Sequence, residues 1–487
     1  MQRSVYFVLG CLVIILSVFL AFWGLDQVDL EASENIYVAD AIGYLRRDPY
    51  MAPRQHLGKP HAPASPHPFL VQFLTAEIFK YFGLSLFTAR LLQSGSLVMS
   101  ALVVMFLARR IFKTASVAIV SGLVYTTFPL VVRYSRMAVL DPILALVQGL
   151  GAVWLWELIQ STGKMVYLYA FFVGMSVGLS LSIKLTGIFY VLFVAIGLFW
   201  YKFKLRPQNF FRVFLIIILT GVLVFYLFND PASYIFAWTH FSDPRHKSIS
   251  LISMIKGLVA VDYWLPFAVT LIGIVPVLLL LSSLPNLVHG RKSASIIFIA
   301  AWMMASIYLV INPAHITGLS SEWAYLPIML PLALIVGKLL WTFGRRLRFL
   351  RYNQIIFLLM GIYLLLATPT LVFFGLRYAS LPLPNLAHGR NAVMGDLSVM
   401  RIIKTLNQDS QPSLVLVKLK GIELPLWLLN NNIITEPFYH ELSAYDYVVT
   451  DDMKLITQTK ANNFITKVAA KNQTEPEVFL LYQRKID

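Results

Sequence analysis

A chain divided into long apolar runs has few ways to fold. Crossing a hydrocarbon core takes roughly 17–25 apolar residues, and about eleven stretches meet that length. They lie near 5–25, 87–108, 115–132, 138–160, 165–182, 184–201, 212–229, 262–283, 294–311, 323–341 and 354–376. In lipid every backbone N–H and C=O must be bonded within the protein, which leaves the helix as the natural form for such runs. The expected fold is an α-helical polytopic membrane protein. With 13% charged residues the chain falls well below the ~25% of soluble domains, which supports that class. The first run, Val5 to Trp23, lacks a small-residue cleavage site and is followed by acids, so it reads as a retained helix and not a signal peptide. The only cysteine, Cys11, lies within it, which excludes an internal disulfide and a cysteine-based metal site.

The basic residues set a topology. With the N-terminus in the cytoplasm, the inner connections are Arg109 to Lys113, the Lys164 region, Lys202 to Arg212, His289 to Lys292 and Gly344 to Arg351, and four of these five are strongly basic. The net charge of +16 therefore sits in groups flanking apolar runs, and no nucleic-acid partner is expected. Segments 26–86, 133–137, 230–260, 312–322 and everything after about 377 fall outside, at a cell membrane. The expected division is a transmembrane domain over 1–378, with a first outer loop at 26–86, and a small extracytoplasmic α/β domain over 379–487. In the tail, Ser413 to Val417, Tyr445 to Thr450 and Glu477 to Tyr482 read as strands, with helices near 395–407 and 453–468.

The first outer loop is unlike its surroundings. Asp26, Asp29, Glu31, Glu34 and Asp40 stand close together, then Arg46, Arg47, Arg54 and Lys59, then a Pro/His-rich run to Pro68. A membrane helix pair does not need such a connection, so it reads as a working surface. In the second outer segment Arg133 and Arg136 are three apart and able to share a helix face. Two guanidiniums at a membrane boundary suit a phosphate, which arginine grips in a planar, two-point way, or else a lipid headgroup. Asp141 precedes Pro142, which suits a first helical turn, so Asp141 is placed at or near an N-cap. The 230–260 loop carries Trp238, His240, Asp243, Arg245, His246 and Lys247, a set able to bound a sugar or a lipid head. Its spacing matches no metal motif, and no metal is expected. His315, in the 312–322 loop, reads as an interfacial histidine or a substrate contact.

Several short motifs stand in a definite order: Ser33-Glu34-Asn35-Ile36-Tyr37-Val38-Ala39 in the first loop, His67-Pro68-Phe69-Leu70 opening a helix, Ala89-Arg90-Leu91, then Arg136-Met137-Ala138-Val139-Leu140-Asp141-Pro142. Lys184-Leu185-Thr186-Gly187 and Tyr325 to Pro331 follow as weaker elements. In order and spacing these resemble the lipid-phosphate-sugar-dependent glycosyltransferases of the GT-C fold, in particular the protein O-mannosyltransferases and the lipid A aminoarabinose transferases. The resemblance covers about 1–340. It implies a membrane enzyme that moves one sugar from a polyprenyl-phosphate donor to a hydroxyl acceptor on a protein, lipid or polysaccharide, at the outer face and with inversion. It implies fixed cations for the lipid phosphate, here Arg136, Arg90 and His67 with Arg133 and Lys59 in reserve, and Tyr37, His240 and His315 near the substrate. The family's catalytic base is the aspartate of an Asp-Glu pair. Ser33 stands in its place, so Glu34 is the expected base with Glu31 as substitute, and Asp141 orients the acceptor or a metal. The rival readings are a transporter or flippase, or a catalytically altered relative; transporters hold their ionisable groups near mid-membrane, whereas these acids lie at span ends.

Overall fold

In a computed structural model the described residues are 2–25, 34, 37–38, 41, 44–45, 70–202, 207–229, 272–273, 276–278, 280, 297–303, 305, 325–345 and 352–372, with five strands beyond. Among the described residues, the helices with both ends defined are α1 (Gln2–Phe22), α2 (Leu70–Phe82), α3 (Leu86–Phe112), α4 (Ala115–Thr126), α5 (Pro129–Ser135), α6 (Asp141–Gln160), α7 (Met165–Ile183), α8 (Ile188–Lys202), α9 (Pro207–Phe228), α10 (Leu326–Gly344) and α11 (Tyr352–Thr370). Six of them, α1, α3, α6, α7, α9 and α10, are long and apolar enough to cross a membrane, and a seventh span results if the bent pair α4–α5 is one. The protein is a multi-pass membrane protein of helical architecture. Ile188–Trp200 and Gln354–Thr370 are shorter apolar helices. The expected spans at 262–283 and 294–311 fall mostly outside the described residues.

The expected run at 115–132 is not a straight helix. Its two parts meet at 60°. Pro129 opens α5, and Phe128 before it is extended (φ −63, ψ 122). The proline ring removes one helical donor and pushes its predecessor out of the helical region, so the break falls where the sequence demands it. Buried polar pairs close around the break: Ser17 and Thr126 hydroxyls lie 2.8 Å apart, and Thr127 Oγ1 is 3.0 Å from the Tyr363 hydroxyl. Such bonds join helices where the solvent offers no alternative partner.

The chain divides into two compact units, Met1–Trp23 with His61–Val71 and Leu92–Tyr378, and Gly24–Pro60 with Gln72–Leu91 and Ala379–Asp487. In the first, α7 packs against α6 and α9, and α10 against α4 and α6. Helices α7 and α9 approach closely because a Cβ at Gly178 would lie 2.5 Å from the Gly221 carbonyl oxygen. Small residues at such crossings allow backbone contact.

In the second unit the strands are β1 (Ser413–Lys418), β2 (Ile433–Ile434), β3 (Tyr447–Thr450), β4 (Phe464–Lys471) and β5 (Val478–Arg484). They form one sheet in the order β2-β1-β3-β5-β4. The β1 pairings are parallel, and β5 runs antiparallel to both β3 and β4. The three expected strand runs match β1, β3 and β5. The expected helix at 453–468 is corrected at its end, where Phe464 onward is strand, paired Phe464 to Arg484 and Lys471 to Val478.

Candidate functional site

Asp141 is the first residue of α6. Leu140, not Asp141, holds the cap position, and no side chain caps the helix. Asp141 thus stands next to the cap, within the expected position, and its side chain makes a tertiary contact. The Lys184 ammonium donates to Asp141 Oδ1 at 3.0 Å and Oδ2 at 2.8 Å. The Asp141 side chain is 1% exposed and that of Lys184 13%, so the pair is buried on its acidic side and reaches the surface on its basic side.

Local backbone chemistry holds Lys184 in place. It follows the last residue of α7 in extended conformation (φ −159, ψ 147). Its N–H donates to the Ser180 carbonyl at 3.3 Å, and its own carbonyl accepts the Gly187 N–H at 2.9 Å. Leu185–Gly187 forms a single 3-10 turn before α8 begins. A Cβ at Gly187 would collide with the Ser180 carbonyl, so only glycine closes that turn. Two residues before Lys184, the Ser182 hydroxyl accepts the Asn229 amide at 2.6 Å, tying α7 to the residue that follows α9.

Arg136 lies just beyond α5 and is 3% exposed. Its Nη1 donates to the Leu20 carbonyl at 2.9 Å. Arg133, half-buried, has its guanidinium 5.1 Å from the Tyr134 ring centroid. α5 ends at Ser135, and Arg136 stands at its C-cap (φ −96, ψ 10) with its N–H donating to the Arg133 carbonyl at 3.3 Å.

In the second unit Glu34 and Arg90 form a closed pair. Arg90 Nε donates to Glu34 Oε1 at 2.8 Å and Nη2 to Oε2 at 2.9 Å, while Nη1 donates to the Leu25 carbonyl at 2.9 Å. Both side chains are 0% exposed. This is the fork-to-carboxylate geometry that arginine forms best. Tyr37 is buried in the same unit. Glu31, Lys59, His67, His240 and His315 lie outside the described residues. Among the described residues no three His, Cys, Asp or Glu gather as metal ligands.

Lys184 is the residue that the motif order passed over as a minor element. Its signal was available: it is the one charge dividing two apolar runs, and an ionisable group among such helices is usually functional.

The sequence profile described as dolichyl-phosphate-mannose-protein mannosyltransferase (PMT) matches residues 11–281, more than half of the chain. No curated protein sequence matches the chain. Among solved structures, ArnT from Cupriavidus metallidurans bound to undecaprenyl phosphate is similar, with a TM-score of 0.63 and 14% identity over 97% of either chain. The archaeal oligosaccharyltransferase AglB from Archaeoglobus fulgidus, in complex with an inhibitory peptide and a dolichol-phosphate, matches with a TM-score of 0.59 and 12% identity over 92% of this chain and 70% of that one. At such identities the likeness is one of fold, and it is the GT-C fold expected from the motifs. An apolar helical bundle carrying the Arg136-to-Pro142 element, together with a profile match from α1 past α9, places the chain in the dolichyl-phosphate-mannose-protein mannosyltransferase family.

Proposed function

We propose that this protein moves a single sugar from a polyprenyl-phosphate donor to a hydroxyl acceptor at the outer face of the membrane, inverting the anomeric centre. The observation that carries this reading is the buried Arg136 and the buried Asp141–Lys184 pair at one end of apolar helices, with Lys184 brought to Asp141 from 43 residues away. Ionisable groups in such helices are costly and are retained for chemistry. The opposite end of α6 carries an ordinary exposed contact, Arg110 to Glu157, with Arg110 half exposed. The inward-basic pattern makes that end cytoplasmic and the Asp141 end external.

As the glycosidic bond breaks, negative charge grows on the lipid phosphate. A cation fixed beforehand stabilises that state more than the bound donor. Arg136, with Arg133 in support, fills this role. The Arg90 fork is committed to Glu34 and Leu25, so we assign Arg90 to holding the first loop. A carboxylate accepts the acceptor proton. The lipid phosphate bound to ArnT and the dolichol-phosphate bound to AglB support a polyprenyl donor here.

The test is reconstitution of the full chain in vesicles with polyprenyl phosphates carrying single sugars, mannose first, and a mixture of hydroxyl acceptors. Transfer with an inverted linkage and release of polyprenyl phosphate is the expected result. Passage of intact sugar-lipid across the bilayer without cleavage would instead make the bent α4–α5 span the part of a transporter.

A further inference from the structure

We infer that Asp141, and not the first-loop Glu34, is the carboxylate that takes the acceptor proton, and that Lys184 is the positioning residue that holds it for that step. The inference rests on the transfer reading above and assigns its base.

The two buried acids differ in what holds them. Each Glu34 oxygen accepts a separate N–H of one planar guanidinium, at 2.8 and 2.9 Å, and neither side chain is exposed. Accepting a proton on Glu34 would neutralise one member of that closed pair and leave the Arg90 charge buried alone. A buried pair resists this because its two members were desolvated together. Arg90 is held a third time by the Leu25 carbonyl, so the fork is not free to turn away.

Asp141 has a different partner. An ammonium is a point charge with three rotatable donors on a flexible stem, so it moves from one carboxylate oxygen to the other without losing the interaction. Lys184 touches both Asp141 oxygens and is the member of the pair that reaches the surface. Its stem begins at a fixed point, since the Ser180 carbonyl and the Gly187 N–H hold its backbone from both sides. Asp141 also opens the 20-residue helix α6, where the first-turn N–H groups have no partner within the helix. Among the described residues, the elements packed on α6 carry the cations Lys184 and Arg133, with Arg136 just beyond α5 and Tyr325 ahead of α10.

The step balances within these groups. The acceptor oxygen forms its bond to the anomeric carbon as its O–H bond breaks. The bond from that carbon to the lipid phosphate oxygen breaks with its electron pair, which leaves as polyprenyl phosphate. The acceptor proton goes to an Asp141 oxygen and from there to water. Lys184 takes no part in the proton transfer and holds the carboxylate in place until the acceptor arrives.

The experiment uses the full chain in vesicles and the labelled donor that wild type consumes, with turnover counted per folded molecule. Asp141→Asn is expected to lose about 10²–10⁴-fold in kcat, the range for a missing base, with Glu34→Gln staying within about tenfold despite a lower folded yield. Lys184→Met is expected to lose roughly tenfold to a hundredfold in kcat at unchanged donor KM. Lys184→Arg keeps the charge but exchanges the mobile ammonium for a planar fork, and is expected to recover little of the lost kcat. A folded Glu34→Gln protein that loses more than Asp141→Asn overturns the assignment. So does a Lys184→Met protein with raised donor KM and unchanged kcat, which would make Lys184 a phosphate ligand. If wild type consumes no donor in the panel, the transfer reading itself falls, and this assignment falls with it.

Discussion

Single residues in this chain are decided by distant partners more than by their neighbours. Asp141 followed by Pro142 has the local signature of a helix start, and α6 does begin there. What the local pattern does not contain is a lysine 43 residues away that claims the carboxylate. The same holds for Glu34 and Arg90, 56 residues apart. Both acids were legible as candidates; their partners were not, because nothing in the sequence near either one names them. Removing one member of a closed buried pair leaves the other charge uncompensated, a loss of about 3–5 kcal/mol. Glu34→Ala is therefore expected to lower the folded yield and the melting temperature in detergent far more than Glu157→Ala, whose partner Arg110 is half exposed. Equal melting shifts for the two would contradict the closed pair. Arg136 allows a kinetic prediction. Arg136→Lys keeps the charge and loses the planar fork. Donor KM is expected to rise about tenfold, equivalent to ~1.4 kcal/mol, with less change in acceptor KM.

At the scale of elements, the apolar periodicity located most helices within a few residues, since a span must be long and apolar whatever it packs against. It failed where a different rule governs. The Phe128-Pro129 step was visible, yet a continuous apolar run concealed the 60° bend it imposes. In the tail, Phe464, Ile465 and Val468 have helical spacing, but Phe464–Lys471 gains its backbone bonds from β5. That pairing carries an irregularity between Thr466 and Val468, which breaks the alternation a strand would otherwise display. The turn after α7 makes its own prediction. Gly187→Ala places a Cβ against the Ser180 carbonyl, so the turn has to shift and carry Lys184 with it. Overpacking of this kind costs typically about 1–3 kcal/mol. Gly187→Ala is expected to lower turnover in the same direction as Lys184→Met, with Gly361→Ala, at a helical position with open space around it, as the control for expression.

The molecule as a whole is polarised along its helices. Arg109, Arg110 and Lys113 gather at the end of α3, while α6 and α7 bring Asp141 and Lys184 to their shared end. This asymmetry was legible from the basic connections alone, because the rule that reads it concerns only which loops stay inside. It yields a labelling prediction in a Cys11→Ser background. A cysteine at exposed Phe82 reacts with an impermeant thiol reagent in intact cells, whereas one at exposed Thr162 reacts only after permeabilisation. The reverse pattern would put the buried acid–lysine pair on the cytoplasmic side and remove the outer-face reading.

The account's central claim is that the chain cleaves a sugar from a lipid phosphate. The most direct measurement is phosphorus NMR of vesicles holding the protein, a polyprenyl-phosphate sugar and a hydroxyl acceptor. The donor is a phosphodiester and the released lipid a phosphomonoester, so the two resonances separate. We expect the diester signal to convert to the monoester with wild type and to persist with Asp141→Asn. A diester signal that persists with folded wild-type protein, for every sugar in the panel, would contradict the account.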